Sequence, residues 1–203
     1  MPQALYDKGV RAGDVKYWDR NGDGNITDDD RIVTGNPNPK FSGGWNNTFK
    51  YKGLELSLFF TYSYGNDVYA SWMIPGSKPG HTRSLLKAYA DNRWTGPGST
   101  DLHPRSVSGD TNNTRNSDRW LEDGSFLRLK NVSLGYTLPS RSLRKAGISQ
   151  MRVYVSADNI WTLTGYSGPD PEVSTRNSVL TPGFDWSAYP RAFGFTAGVN
   201  LTF

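Results

Sequence analysis

Cysteine is absent from the 203 residues, which excludes a disulfide scaffold and the usual thiolate zinc sites. Histidine is nearly absent: His81 and His103 stand apart, and without a His-rich pattern they read as solvated side chains, not catalytic or metal-binding ones. No apolar run of about 18 residues exists, so no transmembrane helix is encoded. A transmembrane barrel stays open, because its strands alternate and average out as polar. Lys and Arg exceed Asp and Glu by 23 to 19, yet no run of five or six like basic residues occurs, and nucleic acid is not an implied partner. The first residues show no basic stretch leading into an apolar one, so no secretory signal is expected and Met1 is expected to begin a fragment.

The residues that are abundant point one way. Twenty-two Gly, twelve Pro and 13% aromatic residues beside only 35% hydrophobic ones describe short strands joined by turns and long loops, an all-β class. Residues 14–18 suggest a short strand before a Gly/Asp-rich loop, and residues 1–40 are taken together as one loop segment. In residues 41–51, Phe41, Gly43, Trp45, Asn47, Phe49 and Tyr51 alternate with small or polar residues. Lys52-Gly53 makes a short turn into residues 53–64, where Leu54, Leu56, Leu58, Phe60, Tyr62 and Tyr64 share a face, so 41–64 predicts a hairpin.

A long loop, 65–124, carries a helical pattern over 84–94. A second hairpin, 125–160, contains a change of phase: Leu127 and Leu129 fall opposite Val132, Leu134 and Tyr136, and a bulge near Lys130 would reconcile them. A third loop spans 161–190. The last segment, 191–203, alternates Phe193, Phe195, Ala197, Val199, Leu201 and Phe203 with small or polar residues. Antiparallel strands would place the turns at 52–53 and 139–149 on one side and every long loop on the other. That asymmetry belongs to outer-membrane barrels.

Five segments then narrow the family: GDVKYWDRNGDGNITDDDR (13–31), GNPNPKFSGGWNNTFKYKGLELSLFFTYSYGNDVY (35–69), FLRLKNVSLGYTLP (126–139), VYVSADNIWTLTGYSGPDPEV (153–173) and FGFTAGVNLTF (193–203). In this order they resemble the C-terminal end of SusC/RagA-family TonB-linked outer-membrane transporters. The resemblance implies antiparallel strands of a large transmembrane β-barrel with long extracellular loops, in the outer membrane of a Gram-negative bacterium, importing glycan fragments or peptides. It implies a SusD-like surface lipoprotein as partner, the TonB complex engaged through a part outside this chain, and outer-membrane lipid around the wall. It also implies that the barrel-assembly machinery reads Phe203 as an assembly signal. No enzymatic activity is expected. The alternative left by the alternation alone is a secreted, calcium-stabilised carbohydrate-binding β-sandwich.

The sharpest local motif lies in residues 19–30, where Asp19, Asn21, Asp23, Asn25 and Asp30 have the spacing of a calcium loop with Gly24 at its sharp turn. Five carboxylates within twelve residues repel one another, and calcium is the expected compensation; an Asx-turn-rich loop without metal is the competing reading. Asp30 stands where such loops carry a bidentate Glu. Trp72, Trp94, Trp161, Tyr166 and Trp186 are the candidate cargo-stacking residues among the loop aromatics, which also include Tyr69, Trp120 and Tyr189; packing within the loops competes with that role. Arg141, Arg144 and Lys145 form a basic turn that suits either water or lipid headgroups. Gly165-Tyr-Ser-Gly168 lacks the spacing of a nucleophile elbow, and pairs of Glu55, Glu122 or Glu172 with an Asp arise by chance among so many Asp residues.

Overall fold

The computed structural model describes residues 3–80, 84–109, 112–139, 143, 147–173 and 180–203. Two compact units are built from interleaved stretches of chain. The first comprises Met1–Gly35, Tyr69–Leu121 and Asp185–Ser187, and the second Asn36–Val68, Glu122–Phe184 and Ala188–Phe203.

The second unit is organised by a five-stranded antiparallel sheet, β1 (Phe41–Tyr51), β2 (Leu54–Tyr64), β5 (Phe126–Thr137), β6 (Gln150–Thr164) and β8 (Gly194–Thr202), in the order β1-β2-β5-β6-β8. Three short strands, β3 (Asp67–Ala70), β4 (Leu121–Asp123) and β7 (Phe184–Asp185), make a small sheet in the order β4-β3-β7 that the sequence pattern does not announce. The β1–β2 hairpin closes through Lys52 and Gly53, both at positive φ (46° and 85°), as a two-residue turn requires if it is to follow the right-handed twist of its strands. The β2–β5 and β6–β8 connections are long, so the expected asymmetry of turns and loops is present.

The bulge expected near Lys130 is there: Phe59 pairs with Asn131 and Phe60 with Leu129, leaving Lys130 without an opposite residue. A second irregularity follows on β6, where Leu129 pairs with Trp161 but Asn131 with Asp158, and Asn159 takes φ 52°. This bulge carries β6 to Thr164, four residues beyond the expected end, and moves Trp161 from a loop into the sheet.

The first unit departs further from expectation. Residues 14–18 form no strand, because their backbone is held by side chains instead: Asn113 Oδ1 accepts from Val15 N at 2.7 Å. The expected helix over 84–94 shrinks to α3 (Lys87–Asp91), following the short helices α1 (Gln3–Asp7) and α2 (Met73–Gly76). Leu86 is extended and offers no side-chain cap, and Asn92 ends the helix, so only one turn around buried Tyr89 survives. Tyr89 and Trp120, 4% and 2% exposed, form the apolar heart of this unit.

Candidate functional site

The paired positions of the large sheet form rows, and the rows separate by chemistry. One reads Thr48, Ser57, Ser133, Ser156, Thr196, a hydroxyl on every strand. Its neighbour reads Asn46, Phe59, Asn131, Asp158, Gly194. Asn131 Nδ2 ties this face together by donating to Ser156 Oγ at 2.9 Å and Asp158 Oδ1 at 2.7 Å. On the opposite face a row reads Phe49, Leu56, Leu134, Val155, Ala197, and another Trp45, Phe60, Leu129, Trp161. Trp45 stacks on Phe60 with ring centroids 5.9 Å apart. Phe49, Trp45, Leu134, Val155 and Trp161 are nonetheless 41–61% exposed. A sandwich would cover this face with a second sheet, so the sandwich alternative fails on the structure.

The polar face also carries a charge cluster that the residue pattern does not single out. Arg128 on β5, 3% exposed, donates to Asp170 Oδ1 at 2.5 Å, to Glu172 Oε2 at 3.1 Å and to Thr162 Oγ1 at 3.0 Å. Arg191 lies 3.7 Å from Asp170 and 3.3 Å from Glu172, and Lys130, the bulge residue, 3.8 Å from Glu172. Three cations therefore enclose two carboxylates, and the loop after β6 is tied to the wall it leaves. An Arg in an otherwise polar-small alternation was the available signal; its carboxylate partners, 42 and 44 residues away, were not. Glu172 thus belongs to this cluster, and Glu55 accepts from Lys50 at 3.0 Å and Arg152 at 2.9 Å, so neither joins an acid pair.

In the first unit the acidic loop closes on itself. Asp19 accepts from Gly22 N at 2.7 Å and Gly24 N at 2.8 Å, Asn21 from Asp23 N at 3.0 Å, and Asp23 from Asn25 N at 2.7 Å. Asp30 accepts from Thr27 N at 2.7 Å and Arg20 N at 2.9 Å, within a capped 3-10 turn, Asp28–Asp30. The bond from Thr27 N leads in holding the Asp30 carboxyl below the ordinary carboxylate range; desolvation opposes it and the bond from Arg20 N adds to it. Lys8 Nζ reaches Asn25 Oδ1 at 2.6 Å. Among the described residues, no three His, Cys, Asp or Glu side chains converge as a metal cage. Each carboxylate oxygen nevertheless retains a second lone pair, so these bonds order the donors without exhausting them.

A cleft of about 490 Å³ opens in the same unit, with Trp94, His103, Arg119, Lys16, Thr100 and Asp101 in its lining. The Trp94 ring covers Gly13 so closely that a Cβ there would lie 2.2 Å from Cε3. Burial, seconded by the Arg119 charge, pushes the His103 imidazole below its ordinary value. His103 stacks on Tyr89 at 4.6 Å.

The remaining aromatic candidates scatter. Trp161 is on the apolar sheet face, a position that points it away from the polar one, and Tyr166 is 5% exposed, too buried to receive cargo, with its ring over Gly168. Trp72 immediately precedes α2, without a side-chain capping bond, and is half-buried, whereas Trp186 is 60% exposed. Trp120 donates to Arg115 O at 2.8 Å from the core of its unit, Tyr69 to Asn116 Oδ1 at 2.9 Å, and Tyr189 is 90% exposed. Phe203 follows β8 and is 83% exposed. His81, Arg141, Arg144 and Lys145 lie outside the described residues.

No family model matches the chain. Relatives do: TonB-dependent receptor P3 of Formosa agariphila is 35% identical over 94% of the chain, and TonB-dependent receptor SusC of Bacteroides thetaiotaomicron 28% identical over 99%. Among solved structures, the RagAB peptide transporter aligns with 84% of the chain at 28% identity and a TM-score of 0.67, and the RagAB peptide importer in its closed-closed state with 89% at 25% identity and 0.68. The chain is a SusC/RagA-like segment of the TonB-dependent receptors. It spans about a fifth of the length of the curated relatives it matches, 19% of each of these two. The relatives are named as receptors and the structural neighbours as a peptide transporter and importer, none of them as an enzyme. Nor is the barrel closed: β1 and β8 are the sheet's outer strands, as a part of a barrel wall should have them.

Proposed function

We propose that this chain forms part of the wall and the outward loops of a TonB-energised importer in the outer membrane of a Gram-negative bacterium. Its apolar face meets lipid, its hydroxyl face lines the lumen, and its cargo is glycan fragments or peptides. The separation of rows carries the reading. Five aliphatic or aromatic residues across one row, four of them exposed and Leu56 half-buried, suit hydrocarbon, whereas five hydroxyls across the next suit a hydrated channel. The strand edges at β1 and β8 require neighbours, since every unpaired backbone group in hydrocarbon costs several kcal/mol. The rest of a receptor about five times this length supplies them. A SusD-like lipoprotein caps the outward side, TonB engages a part beyond this chain, and the assembly machinery reads the Phe203 end.

Calcium belongs to the same proposal. The turn positions Gly22 and Gly24, at φ 74° and 77°, fold the Asp19, Asn21 and Asp23 oxygens into one loop, and a divalent ion would relieve their repulsion there. Terbium luminescence on the full-length receptor should rise with Asp19 and Asp23 intact and fall to background when both are Ala; equal luminescence removes the ion from the reading.

The wall is tested with a bimane label on Leu134→Cys or Ser133→Cys in the full-length receptor, reconstituted in brominated lipid. Quenching at 134 and its absence at 133 is the expected result. Equal quenching at the two positions would overturn the assignment of faces.

A further inference from the structure

The cleft of the first unit is absorbed by none of the roles above. Its volume, about 490 Å³, lies in the roughly 300–1,000 Å³ range of small-molecule sites. Asp14, although in the lining, is already satisfied: Arg105 grips it at 2.6 and 3.0 Å, Asn113 Nδ2 donates to it at 3.0 Å and Arg11 N at 2.8 Å. The charge left facing the cleft is therefore two cations against one carboxylate. Lys16 is exposed and has no ion pair or side-chain hydrogen bond among the described residues. Arg119 spends one nitrogen on Asn113 O, at 3.2 Å, and another on His103 Nδ1, at 3.3 Å. Because a guanidinium only donates, His103 Nδ1 accepts and its proton sits on Nε2, a third donor. The same lining holds a flat indole, Trp94, and the side chains of Thr100 and Asp101.

We propose that this cleft binds an acidic sugar unit, a hexuronate: its carboxylate between Lys16 and Arg119, its ring face on Trp94, and its hydroxyls on Thr100 and Asp101. Paired cations recognise a carboxylate by charge-assisted hydrogen bonds, the apolar face of a pyranose suits an aromatic wall, and Asp101 accepts from hydroxyls that a cationic pocket alone would leave unpaired. The use of such a site in uptake rests on the importer reading; its binding does not.

Isothermal titration of the full-length receptor in detergent with trigalacturonate is the test, with maltotriose and trialanine as comparison ligands. Trigalacturonate should bind and the other two should not. Lys16→Met, at an exposed position, should weaken it about tenfold. Trp94→Leu should weaken it as well, while Asp101→Asn, also at the surface, should act less strongly. Tighter binding of maltotriose or trialanine, an unchanged affinity in Lys16→Met, or no heat with trigalacturonate would each overturn the proposal. Retained quenching at position 134 beside absent binding would sink this site and leave the importer standing, and the reverse pair of results would do the opposite.

Discussion

The two units solve the same problem, ordering a polar chain, by opposite means. The sheet unit orders itself through backbone pairing over five strands and keeps a buried ion pair, Arg128 with Asp170, beside the half-buried Glu172. The loop unit has one-turn helices and little strand, and it holds its backbone with side chains: Asn113 receives Val15 N, Asp14 gathers Arg11, Arg105 and Asn113, and Arg115 reaches Ile26 O at 3.1 Å. Repeating hydrogen bonds tolerate many side chains at each position; a side-chain mesh tolerates few.

The largest expected effect comes from the one place where the sheet unit behaves like the other. Asp170→Ala strands Arg128, which is 97% shielded from water by its surroundings, and breaking a buried pair in this way costs about 3–5 kcal/mol, here toward the lower end because Glu172 remains. The exposed pair Lys87 and Asp91 of α3 is the contrast, 87% and 53% exposed, and Lys87→Ala should leave stability unchanged within error. Unfolding of the full-length receptor in detergent, followed by loss of its compact gel mobility, measures both. Equal effects would mean that the burial of Arg128 carries no energetic weight.

Next in size are charges placed on the two sheet faces. Leu134→Arg should destabilise the membrane-inserted receptor by roughly 2–4 kcal/mol, whereas Ser133→Arg, one residue away, should cost little. If both substitutions were tolerated, the apolar rows would not face lipid.

These contrasts track what could be read in the sequence. The sheet was legible because period-two alternation survives any loop, and the Lys130 bulge because Leu127 and Leu129 change phase against Val132 and Leu134. The end of β6 was not legible, since Asn159 is a turn-former by type and only pairing shows it as a bulge at φ 52°. In the loop unit, the carboxylates of 19–30 were visible as a motif, and Trp94 as an aromatic. The cleft was not, for it requires Lys16 and Arg119, 103 positions apart, to meet around a wall set by Gly13. Residues 14–18 alternate like a strand, but Asn113 supplies the partner that a strand would have supplied.

A third, smaller effect sharpens the contrast within the loop unit. Asp14→Ala removes the acceptor of Arg105 and of Asn113 Nδ2 at once, and about 1–3 kcal/mol of local stability should go with it. Hydrogen exchange of the full-length receptor should show faster exchange at residues 11–16 and 104–109 and no change in β2 or β5. A uniform loss of protection would show that the two units open as one.

The smallest effect is a pH dependence confined to the same unit. Desolvation first, and the Arg119 charge second, hold the folded His103 pKa below the ordinary imidazole value, so protonation is easier in the opened unit than in the closed one. Above about pH 6.5 both states are neutral and the contribution to stability is complete. As pH falls from there through the lowered folded value, the opened state takes up the proton first, and stability is lost. Asp14 acts in a separate, lower window. Burial, its largest influence, would raise the carboxyl, but the bonds from Arg105, Asn113 and Arg11 and the Arg105 charge together outweigh it and hold it below 3.8. Its contribution is present at neutral pH and disappears only as strong acid protonates it. Exchange rates corrected for intrinsic pH dependence should therefore show the loop unit loosening between pH 7 and 5 while the β2 and β5 amides stay protected. His103→Gln, which cannot titrate, should remove that loosening and leave the acid response below pH 4 intact. A slope between pH 7 and 5 that persists in His103→Gln would assign the effect to another group and sever the link between Arg119 and this imidazole.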